Sequence, residues 1–400
     1  MMFGKRIYAD YASTTPISRQ ALSAMRKTER LGNPSAIYEE GVEAKKILEE
    51  ARAQNARALE VRKEEIYFTS GGTESNNLAI AGAIEACHAE DVPYEKIHII
   101  TTPVEHSSVL ECIREYQRRG VKIDFAEVNS EGIVSVESIR RKINQDTVLV
   151  SVMYANNEIG TIQPIHEIGE MIRAMKKEKG MAPLFHVDAC QAPMFLSMVR
   201  ENLRADLITL DGHKIYGPRG VGILFVKNGT KVSPILFGGG QERELRPTTE
   251  NLSGISGMAA ALRSAAKGFS KFSARMKLLR NLFILEVEKH FPEAVLNGSP
   301  EKRLPNNANF SFPWIKDAEF AVISLDALGI ACSTKSSCLS GEEESYVVKA
   351  LEPGNSWRAK TTLRFTFGAK NTKRDIIKIV KAIRKLKEIF AKDSAIAKNK

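Results

Sequence analysis

Between Glu65 and Val226, short apolar and β-branched runs alternate with longer amphipathic stretches, and this alternation restricts the fold more than any other feature of the chain. Runs of strand length lie at residues 66–69, 97–101, 148–153, 184–187, 207–210 and 222–226. Strands that are apolar throughout and separated by helical segments assemble into a mostly parallel sheet, because each crossover brings the chain back in the same direction and lays a helix on one face. The expected class is therefore α/β, a mostly parallel central sheet flanked by helices. After Gly257 the pattern changes to one long helical stretch, 258–290, followed by shorter strand-like segments at 309–312 and 362–367 and a closing amphipathic helix at 374–391. These changes predict a large unit over residues 13–257 and a smaller α+β unit over 258–400, with residues 1–12 folding back onto the smaller one.

Ligands of open α/β sheets bind beyond the carboxyl ends of the strands, so the residues that follow each apolar run are the candidates for chemistry. The first run leads into Ser70-Gly71-Gly72-Thr73-Glu74-Ser75 and then a helix-like stretch. Small residues there leave backbone N–H groups free to face an anion, and Thr73 adds a hydroxyl. Taken alone, Gly-Gly before a helix is as well explained by a plain capped turn. The next ends carry Glu105-His106 and Asn156-Asn157-Glu158, then His186-Val187-Asp188 with Gln191 just beyond, and finally Asp211-Gly212-His213-Lys214. Each has a bland alternative, such as a surface lysine or a turn asparagine. A carboxylate straight after a buried strand is the exception, since an isolated buried charge is costly and Asp188 needs a cationic partner. An amine, a strand-end carboxylate, an anion cup and an aromatic ring to stack on are together what pyridoxal phosphate requires.

Composition narrows the setting. The chain has 400 residues, 43% of them hydrophobic, enough for a large core. No apolar run approaches the roughly 20 residues of a bilayer span, and residues 1–16 do not resemble a secretory signal, so a cytoplasmic location is expected. Five cysteines, Cys87, Cys112, Cys190, Cys332 and Cys338, are scattered without a CxxC pair or zinc-type spacing, which suits free thiols and no metal site. The net charge of +10 is concentrated in the closing lysine-rich helix, read as a solvated face and tail rather than a nucleic-acid patch.

The order of these motifs resembles the class V aminotransferase family of fold type I pyridoxal-phosphate enzymes, and within it the cysteine desulfurases of the NifS and IscS kind. The most specific stretches are Thr69 through Asn76, Asn156-Asn157-Glu158-Ile159-Gly160, His186-Val187-Asp188 and Gly212-His213-Lys214-Ile215-Tyr216-Gly217-Pro218. The resemblance implies that Lys214 forms a Schiff base with the cofactor and shuttles protons. It also implies that Asp188 pairs with the pyridinium nitrogen, His106 stacks on the ring and acts in acid/base steps, and Gln191 bonds the ring oxygen. Gly72, Thr73 and His213 would hold the phosphate, while Asn157 and Arg364 would hold the substrate carboxylate. Thr249 matches a threonine that reaches the phosphate in a neighbouring subunit, so a homodimer is implied. Two positions depart from the pattern. Asp211 stands where relatives commonly have a phosphate-binding serine, so it is expected to turn away or to meet a cation. Tyr38 stands where many relatives have histidine.

The cofactor alone does not choose a reaction. That choice falls to Cys338, which follows the small polar run Ser336-Ser337 and precedes Ser345-Tyr346-Val347, as in the desulfurase loop that receives sulfur. A sulfur-accepting thiol must be accessible and partly ionised, and Lys335 is close enough in sequence to favour the thiolate. Cys332, after an apolar run, is expected to be buried and inert. The implied reaction converts L-cysteine to L-alanine, leaving a persulfide on Cys338 for an acceptor such as an iron-sulfur scaffold or a tRNA-thiolation carrier. Rival readings are a selenocysteine lyase or other class V enzyme, and a non-catalytic protein that binds through its thiols.

Overall fold

The computed structural model describes residues 6–180, 182–335, 344–354 and 357–398. It opens with a short strand, β1 (Ile7–Tyr8), and then builds a seven-stranded sheet from β2 (Ile66–Thr69), β3 (His98–Thr101), β4 (Lys122–Phe125), β5 (Thr147–Met153), β6 (Leu184–Asp188), β7 (Leu207–Asp211) and β8 (Gly222–Val226). Their order is β2-β8-β7-β6-β5-β3-β4. Only β8 runs against the others, so six strands point their carboxyl ends to one edge. The expected α/β class holds, with β4 an added edge strand.

Side-chain alternation assigns each strand to two cores. Phe68, Val150, Val152, Phe185, Val187, Ile208, Leu210, Ile223 and Phe225 face one apolar cluster, whereas Leu149, Leu207, Leu224 and Val226 face another beneath the helix Gly72–His88. The same parity puts His186 and Asp188 of β6, and Thr209 and Asp211 of β7, on the side of that helix. His186 bridges Ser151 Oγ (2.8 Å) and Thr209 Oγ1 (3.0 Å), a buried polar row across three strands that satisfies every member.

Further strands, β9 (Val295–Leu296), β10 (Asn307–Ser311), β11 (Ile330–Ala331) and β12 (Thr362–Thr366), form a three-stranded antiparallel sheet β12-β10-β9 and a parallel pair of β1 with β11. They pack into a separate cluster that includes Ile7, Ala9, Phe283, Phe310 and Phe365. The helix Leu252–His290 runs unbroken through residue 257, with Met258 and Leu262 in the large-sheet core and Met276 through Val287 in the second cluster. Among the described residues, no helix is long and apolar enough to cross a membrane.

Candidate active site

At the carboxyl edge of the sheet, one cavity is lined by Gly72, Thr73, Asn157, Gln191, His213 and Lys214, together with His106, Asp188, Asp211 and Arg364. Nine of these ten positions were candidates from sequence, and the topology brings them together because β2, β3, β5, β6 and β7 all end there and β12 adds Arg364 from the smaller sheet.

Asp188 sits at the end of β6, 7% exposed. Its Oδ1 accepts from the backbone N–H of Cys190 (3.0 Å) and its Oδ2 from Asn76 Nδ2 (2.8 Å). Asn76 also donates to Ser108 Oγ (2.9 Å), and Ser108 meets His106 Nδ1 at 2.8 Å. His106 caps the helix Ser107–Arg118, where its Nδ1 accepts the Ser108 backbone N–H. The neutral ring therefore carries its proton on Nε2. Burial outweighs the pull of Asp188 and keeps the imidazole below its ordinary pKa, so the ring is uncharged at neutral pH. Asn76 and Ser108 thus connect two candidate residues, although neither drew attention in sequence. Position was the available signal: Asn76 lies four residues after Gly72, on the same helix face.

Lys214 donates from Nζ to the carbonyls of Ala12 (2.8 Å) and Ser13 (2.7 Å), and Gln191 Nε2 also donates to Ala12 O (3.0 Å). The segment from Ala12 to Thr15 is thereby a wall of the site, further stapled by Thr15 to the His213 carbonyl. Arg364, 1% exposed, donates to Asn157 O (3.0 Å), Asp10 Oδ1 (2.8 Å) and Ser13 Oγ (3.0 Å). Its Nε–H has no acceptor among the described residues. A buried donor left open at a cavity wall is suited to a carboxylate guest.

The anion cup departs from expectation. Gly71 has φ +152°, in the range that favours glycine, and a Cβ on Gly72 would stand 2.8 Å from Cys190 Sγ and 3.0 Å from Asp211 Oδ2. Asp211 does not turn away. Its Oδ2 takes the Gly72 N–H at 2.8 Å, its Oδ1 takes the His213 N–H at 3.1 Å, and His213 Nε2 stands 3.3 Å from Oδ2. The partner it meets is His213, whose Nδ1 lies 3.1 Å from Thr14 Oγ1.

The remaining candidates lie elsewhere. Thr249 is exposed and apart from the cavity lining. Tyr38 is 58% exposed at the start of the helix Glu39–Leu59. Cys338 falls outside the described residues. Cys332 is buried, and burial raises its thiol pKa well above the ordinary value. Lys335 is itself buried, and its ammonium is 3.2 Å from Glu319 Oε1, so its charge is already shared with a carboxylate.

The aminotransferase class-V family model matches residues 7–379. The chain belongs to that family. Within it, the chain groups with the cysteine desulfurases: it is 40% identical to the cysteine desulfurase IscS of Dictyoglomus turgidum over 375 residues, 93% of this chain and 92% of the relative. Among solved structures, a NifS-like protein superposes with a TM-score of 0.86 at 33% identity, covering 96% of this chain and 99% of its own. A structure described as SspA in complex with cysteine has a TM-score of 0.75 at 30% identity, covering 90% and 98%. Membership of the class-V aminotransferases implies pyridoxal phosphate. The residues present fit its ring: an amine at Lys214, a strand-end carboxylate at Asp188, a flat neutral imidazole at His106 and an open guanidinium N–H for the substrate. At the phosphate end, Gly72, Thr73 and His213 fit, and Asp211 is the one residue of the cup that brings a negative charge.

Proposed function

We propose that this cysteine desulfurase holds pyridoxal phosphate on Lys214, takes sulfur from L-cysteine onto Cys338 and releases L-alanine. The observation that carries the reading is the convergence of Lys214, Asp188, His106 and Arg364 on one cavity, in a chain whose Cys338 matches the sulfur-receiving position of the family. Pyridoxal phosphate, when bound, supplies an electron sink that makes the substrate's α-proton acidic and its Cβ–S bond labile.

The chain's own groups do the rest. Arg364 and Asn157 orient the substrate carboxylate, and the solved relative in complex with cysteine supports cysteine as that substrate. Asp188, held by Asn76 and the Cys190 N–H, would pair with the cofactor's ring nitrogen and keep it protonated. His106, a neutral imidazole, would pack against the ring. Lys214 would be the amine that takes the substrate's α-proton and returns one. The Cys338 thiolate attacks the substrate sulfur: a new S–S bond forms, the Cβ–S bond breaks, and its electron pair stays on carbon to be protonated as alanine's methyl group. The resulting persulfide passes to an acceptor protein. The exposure of Thr249 and of the apolar Phe237, 90% exposed, supports a homodimer in which Thr249 reaches the other subunit's cup.

The test is to mix the purified protein with L-cysteine, alkylate, and map the product by peptide mass. A peptide carrying Cys338 and one extra sulfur, with alanine formed in step, is the expected result. Undiminished turnover in Cys338→Ser would remove the persulfide route.

A further inference from the structure

Asp211 is 8% exposed and occupies the place that an anion would take at the start of the helix Gly72–His88. It accepts the Gly72 N–H, the leading donor of the cup, and its second oxygen accepts the His213 N–H. Strand parity sets this side of the sheet for it, since Asp211 shares the face of Leu207 and Thr209 on β7 and not that of Ile208 and Leu210. A phosphate entering the cup therefore meets a carboxylate already using the same donor. Two anions a few ångströms apart in a buried cleft repel strongly enough to change binding by orders of magnitude.

We propose that Asp211 serves as a resident anion of the cup, and that seating the cofactor's phosphate beside it takes up a proton at Asp211, so that cofactor affinity falls as pH rises. The inference rests on pyridoxal phosphate being the cofactor. The ionisable groups facing Asp211 are His213 and Lys214 on its own turn, Cys190 and Asp188 after and at the end of β6, and His106 across the cavity. Burial works to raise the Asp211 carboxyl, but the His213 bond and charge, the Gly72 N–H and Lys214 outweigh it and hold it below the ordinary carboxylate range. In the free protein it is ionised, which leaves a proton to be gained when a second anion arrives.

The experiment titrates cofactor-depleted full-length protein with pyridoxal 5′-phosphate and, separately, with pyridoxal. It uses calorimetry in buffers of different ionisation enthalpy, and the visible band of lysine-bound cofactor as a second readout. Wild type should take up about one proton more with the phosphate form than Asp211→Asn or Asp211→Ser does, and no such excess should appear with pyridoxal. Asp211→Ser, which opens the cup, should bind the phosphate form about 10- to 100-fold more tightly at pH 8. A thermal melt of each depleted variant checks that it is folded, and the isosteric Asn variant carries the proton count should Ser misfold. Equal proton counts and equal affinities in all three proteins, with the visible band present, would overturn the role of Asp211 and leave the cofactor reading standing. Absence of the band in wild type, with Lys214→Ala indistinguishable from it, would remove both.

Discussion

Asn76 Nδ2 lies 2.8 Å from Asp188 Oδ2 and 2.9 Å from Ser108 Oγ, so one amide ties the strand-end carboxylate to the hydroxyl that meets His106 Nδ1. Replacing Asn76 by Ala removes a buried donor from a charged acceptor, a change worth about 1–3 kcal/mol. The expected outcome is looser cofactor retention and a lower kcat with the chain still folded, read by gel filtration followed by absorbance and by alanine release.

Arg364→Lys keeps the charge but loses the planar fork that reaches Asn157, Asp10 and Ser13 together. Substrate affinity should fall, with KM for cysteine rising about 10-fold or more as two oriented hydrogen bonds are lost. The visible band should be kept. Steady-state kinetics on cysteine beside a cofactor spectrum separates the two.

Glu105 is fully buried, and burial pushes its carboxyl up to about 8, against the bonds from Thr102 and the Met153 N–H. A carboxyl raised in the fold favours the folded state below its unfolded pKa and loses that advantage as pH rises from about 4.5 through about 8. Glu105→Gln mimics the protonated form, so it should leave activity near pH 7 within a few-fold and flatten the fall in stability between those pH values. Urea unfolding at pH 5, 7 and 9 reads the slope.

Ser345 caps the helix Tyr346–Leu351 at Val348 N (3.1 Å) and donates to the buried Glu158 at 2.6 Å. Ser345→Ala loses a cap worth about 0.5–2 kcal/mol and a bond to a carboxylate, at the point where the chain leaves the Cys338 segment. The rate of persulfide formation should drop while the visible band is unchanged, which rapid-quench mapping of Cys338 would detect.

Much of this was legible because the physics is local. Six of the seven sheet strands are buried along nearly their whole length and rich in β-branched and other apolar residues, which marks them in any reading. β4 was missed because Lys122-Ile123-Asp124-Phe125 is a half-exposed edge strand without that signature. The strand-end residues were found because the fold class says where to look. Asn76 and Ser108 were missed because they act through other residues and leave no spacing of their own. For Asp211, charge repulsion suggested avoidance, but the alternation of β7 decides the direction of the side chain and points it into the cup.

The wall made by Ala12 and Ser13 has a consequence for how the protein is born. The ion pair of Asp10 with Arg364 spans 354 positions of sequence, and the contacts of Lys214 with Ala12 and Ser13 span 202 and 201. An emerging chain can lay down its sheet early, yet it can close this pocket only after Arg364 has left the ribosome and found the opening residues. Contacts of such range form late. Firm capture of a cofactor is therefore expected only once β12 has been made, and a chain halted short of β12 would hold its lysine in an unfinished room.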